Sequence, residues 1–219
     1  VLKEYYLTPE NLSQKPKEWL DKLKPYSKKD EKPHFDESAL LVIDLQNFFL
    51  NEESHAYIPS AKTIIPNVKK IVSIFKKNSL PTIFTRFSQD SDEDGMMVKW
   101  WKDKVLEGSN DSNLIDELEL DNDDIVIRKK NYSAFRETRL HSILKEKCVK
   151  TVVVTGVMTH LCCDTTARDA FMHGFYVYFV VDATASYNED LHLASLKALS
   201  HGFAYPISTG DLVERIGNL

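Results

Sequence analysis

The stretch Thr151-Val-Val-Val-Thr-Gly-Val-Met-Thr-His-Leu-Cys162-Cys163-Asp-Thr-Thr-Ala-Arg-Asp-Ala170 is a β-branched run that stops at a glycine, with a cysteine where a helix should begin. Such a run reads as a buried strand feeding a helix, the unit from which open α/β sheets are built. Ligands of these sheets bind outside the carboxyl ends of the strands. A thiol at that edge, over the positive end of a helix dipole, is expected to have a lowered pKa. A nucleophilic cysteine is therefore the first reading, ahead of any cofactor.

Outward from this stretch the same alternation recurs. Short apolar runs predict strands at Ala39–Asp44, Thr82–Arg86, Ile125–Arg128, Thr151–Thr155, Val177–Asp182 and Ala204–Ile207. Helices are expected near Ala61–Asn78, Phe135–Glu146, Cys162–His173, Leu191–His201 and Asp211–Ile216. In the first of these, Ile64, Val68, Ile71, Val72 and Phe75 recur three or four residues apart or adjacently, the mark of one buried face. Strands separated by helices imply right-handed βαβ units and a mostly parallel sheet covered on both faces. Residues 1–38 are polar, Lys-rich and Pro-punctuated. They read as an arm, with a short helix around Glu18–Leu23, that wraps the domain of residues 39–219 or a neighbouring subunit. Ser88–Asp124 is the least regular part: an acidic loop (Gln89–Asp94), then Met96-Met-Val-Lys-Trp-Trp101, then another acidic stretch.

At 219 residues, 42% hydrophobic and 28% charged, the chain suits one ordinary globular domain. A net charge of −5 gives no reason to expect nucleic acid or an anionic membrane as partner. No apolar run approaches the roughly 20 residues needed to span a bilayer. The first residues lack the charged start and apolar core of a signal peptide. Three cysteines, two of them adjacent, are not a disulfide framework, so a reducing, cytoplasmic setting is expected.

Three strand ends present reactive groups. Leu40-Leu-Val-Ile-Asp44-Leu-Gln46-Asn47-Phe48 brings a carboxylate to the first, and Ile125-Val-Ile-Arg-Lys129-Lys130-Asn-Tyr132-Ser-Ala-Phe135 brings an amine to the third. The fourth delivers Cys162. In a parallel sheet these ends share one rim, so an acid, an amine and a thiol can converge.

Taken in order, Val-Ile-Asp44-Leu-Gln-Asn-Phe, Lys129-Lys-Asn-Tyr-Ser-Ala-Phe135 and Gly156-Val-Met-Thr-His-Leu-Cys162 resemble the isochorismatase-like hydrolase superfamily, from about Ala39 to the C-terminus. The resemblance implies a three-layer, doubly wound α/β fold of six parallel strands in the order 3-2-1-4-5-6. For the cysteine branch it also implies an Asp–Lys–Cys triad. The family's spacing selects Lys129 over Lys130 and Cys162 over Cys163. It further implies a cis peptide at Val157–Met158, and an oxyanion held by the backbone N–H groups of Met158 and Cys162. Asp44 would take the thiol proton, with Lys129 beside it, while Cys162 attacks a carbonyl; Asp44 would then pass the proton to the leaving amine. No cofactor is needed for that chemistry. Homo-oligomers, dimers or tetramers, are usual in such families. A monomer in sedimentation at micromolar concentration would overturn that expectation here.

Ordinary roles are open to each residue taken alone. A strand-end Asp is usually a cap, a strand-end Lys usually faces solvent, and a cysteine is often a small buried apolar residue. Cys148 and Cys163 keep that last reading. Gln46, Phe48, Tyr132 and Phe135 are candidates to line a pocket for a small-molecule substrate. Trp100, with Trp101, suits a lid over it or a subunit contact. Arg86 and His160 lie near the expected rim, as substrate contacts or structural groups.

Nicotinamidases resemble the chain in the triad but carry an Asp-x-His pair and a further histidine that bind metal. No histidine stands between His55 and His141, so no metal ligand set is expected, and nicotinamide is disfavoured as substrate. Isochorismatases cleaving a vinyl ether without a covalent step typically hold an inert residue where Cys162 stands. The reading that remains is hydrolysis of a small amide, of carbamoyl or carboxamide type, through a thioester. The alternatives are vinyl ether hydrolysis, a catalytically idle binding protein, and a redox role for Cys162-Cys163. The last is weakest, because the usual dithiol motif separates its cysteines by two residues.

Overall fold

The computed structural model describes residues 1–28 and 34–219. An N-terminal helix, α1 (Lys15–Leu23), precedes β1 (Ser38–Ile43), α2 (Asn47–Leu50), α3 (Ala61–Lys77) and β2 (Thr82–Phe87). Next come α4 (Met96–Trp101), β3 (Ile125–Lys129), α5 (Leu140–Glu146) and β4 (Thr151–Val157). A π-helical turn, Thr159–Cys163, leads into α6 (Asp164–Met172), β5 (Tyr176–Ala185), α7 (Glu189–Gly202), β6 (Tyr205–Ile207) and α8 (Thr209–Gly217). All six strands pair in parallel in the order β3-β2-β1-β4-β5-β6, as expected.

Burial follows from position in that sheet. Every residue of the central strands β1 and β4 is buried, which is why both read as unbroken apolar runs rather than alternating ones. The edge strand β3 alternates instead, with Ile127 and Lys129 buried and Val126 exposed. α3 buries Ile64, Val68, Ile71, Val72 and Phe75 against the sheet and α8, while α6 packs with α7. Among the described residues, no helix is long and apolar enough to cross a membrane.

At Gly156 the backbone of β4 lies close against β1. Its φ is +104°, and a Cβ built on it would lie 2.0 Å from the Ile43 carbonyl oxygen, so only glycine fits. The next peptide but one in the chain, Val157–Met158, is cis. One position before the matching turn on β1, the chain is still extended; at Asp44 it bends sharply, with φ +48°, a region that Asp tolerates better than most residues.

β4 and β5 run past their expected ends, to Val157 and Ala185, and three further differences bear on the site. The helix after β3 starts at Leu140 rather than Phe135, because Ser133 and Ala134 bond instead to Asp169 and Thr166 of α6. The segment at Cys162 is a π-helical turn, and regular α-helix begins only at Asp164. Met96–Trp101, read as irregular, forms α4. The N-terminal arm packs on its own domain: Trp19 and Leu23 are fully buried, and Trp19 Nε1 donates to Glu189 at 2.7 Å. Part of the arm reading, residues 29–33, lies outside the described residues.

Candidate active site

Asp44, Lys129 and Cys162 meet at the carboxyl edge of β1, β3 and β4. Lys129 Nζ lies 2.7 Å from Asp44 Oδ2, 3.3 Å from Cys162 Sγ and 2.8 Å from the Asn131 carbonyl oxygen. Two of these contacts are hydrogen bonds donated by the ammonium, to the Asn131 carbonyl and to Sγ, and the third is an ion pair with Asp44. The other Asp44 oxygen accepts from the Thr85 hydroxyl at 2.7 Å, and Phe87 places its ring 5.4 Å from Nζ. Asp44 and Lys129 are both cut off from solvent. Burying two charges costs several kcal/mol per ion, and a site retains them only where their contacts compensate.

The electrostatics follow from that burial. Burial alone would pull the Lys129 ammonium down, but the Asp44 carboxylate and the Cys162 sulfur outweigh it, and the net shift is upward. Burial pushes the Cys162 thiol up to about 12, against the pull of Lys129 and with the push of Asp44. This corrects the expectation of a thiol acidified by a helix dipole. Cys162 lies inside a π-helical turn, ahead of the regular helix, and desolvation dominates. The resting group is a neutral thiol beside a carboxylate.

Behind the turn is a buried polar brace. Thr159 Oγ1 bonds His192 Nδ1 at 2.9 Å, and Ser195 Oγ donates to the Thr159 carbonyl and to Asp164. Burial drives His192 down to about 3, so it is neutral there. Its ring packs against Trp19 of the arm, with centroids 4.6 Å apart.

A cavity opens over Cys162. Among the predicted substrate contacts, Phe48 and Tyr132 line it, as do Met158 and Cys162. Gln46, Arg86, Trp100, Phe135 and His160 do not line it. Gln46 is spent on the scaffold: its amide donates to the Phe87 and Ser112 carbonyls and accepts from Phe87 N–H. Arg86 forms a two-pronged pair with Glu107. Trp100 is 71% exposed, and its neighbour Trp101 faces the cavity instead, since adjacent helical residues point about 100° apart. Phe135 packs on His173 and Phe175. His160 Nδ1 is engaged by Ser186 Oγ at 2.5 Å, and burial lowers its pKa.

Trp101 lines the cavity as the lid reading expected, whereas Phe49, His55, Phe87, Gln89 and Tyr187 were not predicted, yet line it together with Asp103. Phe87 was within reach of sequence: once Arg86 points away, strand alternation aims its neighbour inward. His55, Asp103 and Tyr187 arrive from separate loops, which carry no periodic signal. As for metal, the single cluster of three suitable side chains among the described residues is His34, Asp36 and Glu37. It precedes β1, at the opposite end of the sheet from Cys162.

Comparison with known proteins agrees with this fold. The isochorismatase domain matches residues 38–211. Nicotinamidase 3 of Arabidopsis thaliana is 42% identical over 191 residues, covering 85% of this chain and 92% of that one. A cysteine hydrolase from Pseudomonas syringae pv. phaseolicola superposes with a TM-score of 0.81 at 24% identity, over 86% of this chain and 99% of that one, a likeness of fold. N-carbamoylsarcosine amidase from Thermoplasma acidophilum gives 0.71 at 25% identity, over 79% and 96% of the two chains.

Proposed function

The chain belongs to the isochorismatase family of hydrolases, and from that premise we propose that it cleaves a small amide through a thioester on Cys162. The observation that carries this reading is Lys129 Nζ in contact with both Asp44 and the Cys162 sulfur. An acceptor and a thiol held by one ammonium can exchange a proton without either charged group meeting water. Cys162 Sγ bonds to the carbonyl carbon as its proton passes to Asp44. The N–H groups of Met158 and Cys162 hold the oxyanion. Asp44 then protonates the leaving amine, the C–N bond breaks, and a thioester remains. Water attacks the thioester, giving one proton to Asp44; the acid leaves, and the proton returns to sulfur. Lys129 stays charged throughout, countering the negative charge that moves between carboxylate and sulfur.

A cysteine at the attacking position favours acyl chemistry over vinyl ether hydrolysis, which needs no covalent step. On nicotinamide two observations oppose each other. The metal-ligand histidines typical of nicotinamidases are missing from the sequence, whereas the Arabidopsis relative at 42% identity bears the name nicotinamidase. The aromatic lining, including Phe48, Phe87 and Trp101, suits a flat ring beside the carboxamide. Nicotinamide therefore joins carbamoyl amides in the first assay. Ammonia release is expected with an acyl adduct on Cys162 by intact mass, abolished in Cys162→Ala and lowered about 10²–10⁴-fold in Asp44→Asn. Amide turnover at the wild-type rate by Cys162→Ala would refute covalent catalysis.

A further inference from the structure

The proposed steps leave one polar part of the cavity without a role. Its walls are chiefly aromatic and aliphatic, yet His55 and Asp103 also line it. His55 Nδ1 lies 3.0 Å from Asp103 Oδ2, and the other carboxylate oxygen accepts from the Lys104 N–H at 2.7 Å. A carboxylate only accepts, so the imidazole hydrogen facing it sits on Nδ1, and Nε2 is the ring's available nitrogen. The ring is also held by its neighbours. It stacks on Trp101 with centroids 6.5 Å apart and 27° between planes, and it meets Phe48 edge-on at 5.4 Å. Lys3 Nζ donates to the His55 carbonyl at 2.7 Å, tying this loop to the N-terminal arm. A flat ligand packed among these rings thus encounters an imidazole whose orientation is already set by a carboxylate.

We propose that His55, oriented by Asp103, determines substrate specificity: Nε2 hydrogen-bonds a heteroatom that a planar carboxamide carries away from its scissile carbonyl. The substrate class is then a heteroaryl or hydroxyaryl carboxamide rather than an apolar one. This rests on the amide reading above. A site that offers a hydrogen bond rejects the analogue lacking its partner, because the site's polar group is then left unsatisfied.

The test uses Cys162→Ala protein, which cannot form the thioester, and measures binding of nicotinamide, 3-hydroxybenzamide and benzamide by calorimetry. At least one of the two heteroatom-bearing amides is expected to bind about tenfold more tightly than benzamide. Adding His55→Leu should erase that difference, and His55→Gln should keep part of it. The ring nitrogen of nicotinamide only accepts whereas a phenol also donates, so the preferred ligand reports which role Nε2 plays. Because the His55 side chain is 44% exposed, the substitution is expected to leave the melting temperature unchanged. Equal affinity for all three amides, no binding by any, or a His55→Leu loss as large for benzamide as for the others overturns the assignment. Acyl-adduct formation by wild type on the same amides is read separately. Adducts without His55-dependent discrimination sink this inference alone, whereas no adduct from any amide sinks the amide reading.

Discussion

Lys129 reaches three acceptors from a position with no access to water, and the consequence falls on its neighbour Cys162. A thiol pushed up to about 12 is protonated throughout the neutral range. Its reactive form is then scarce at rest, and in the proposed mechanism it is made only when Asp44 takes the proton during attack. This has a sign that can be measured. Below the thiol's pKa, each added pH unit raises the thiolate fraction about tenfold. Alkylation of Cys162 by iodoacetamide, followed by mass, should therefore climb steadily from pH 6 to 9. A rate that levels off near neutrality would mean a resting thiolate, and the proton-transfer role of Asp44 would fall. Cys163, also buried, is held well above the ordinary thiol range by desolvation, and its sulfur faces the Thr155 carbonyl, which suits packing rather than chemistry.

At the scale of elements, the site depends on how closely β1 and β4 approach before their chains turn. Ile43 pairs with Gly156, and the catalytic candidates leave the two strands just beyond. Alanine at position 156 would meet the Ile43 backbone and would also hold a φ of +104° that L-residues avoid. Neither strand can shift to relieve this, because both are fully buried between neighbours. Gly156→Ala should cost more than roughly 3 kcal/mol, read as a lowered urea midpoint or as insoluble protein. A variant with the wild-type midpoint would show that the two strands can separate. α4 illustrates the opposite case: a short helix whose residues are none of them fully buried still carries a cavity wall, since Trp101 Nε1 donates to Tyr132 Oη at 2.8 Å.

For the whole molecule, the N-terminal arm is part of the frame that supports the site. Trp19 is fully buried against His192, which in turn holds Thr159 at the head of the turn that carries Cys162. Tyr6 Oη accepts from Ser186 N–H, and Glu4 N–H donates to the carbonyl of Tyr187, a cavity residue. Removing the indole opens a large cavity and leaves Glu189 without that donor. Trp19→Ala should cost about 3–5 kcal/mol in urea unfolding. A loss below about 1 kcal/mol would show the arm to be detachable, with the domain of residues 39–219 carrying the fold alone.

The strands, the parallel sheet and a rim shared by an acid, an amine and a thiol were legible in the chain itself, because buried strands write themselves as β-branched runs. The strand order and the choice of Lys129 and Cys162 over their neighbours were what the family resemblance implied. What lines the cavity was decided by tertiary structure. Gln46 and Arg86 lie at the right strand end, but partners distant in sequence, Phe87, Ser112 and Glu107, claim their polar groups. His55, Asp103 and Tyr187 meet only after loops with no period of their own have closed over the sheet. The state of Cys162 was likewise set by packing: its place at a helix start argued for an acidic thiol, and desolvation, which no local pattern encodes, reversed the sign.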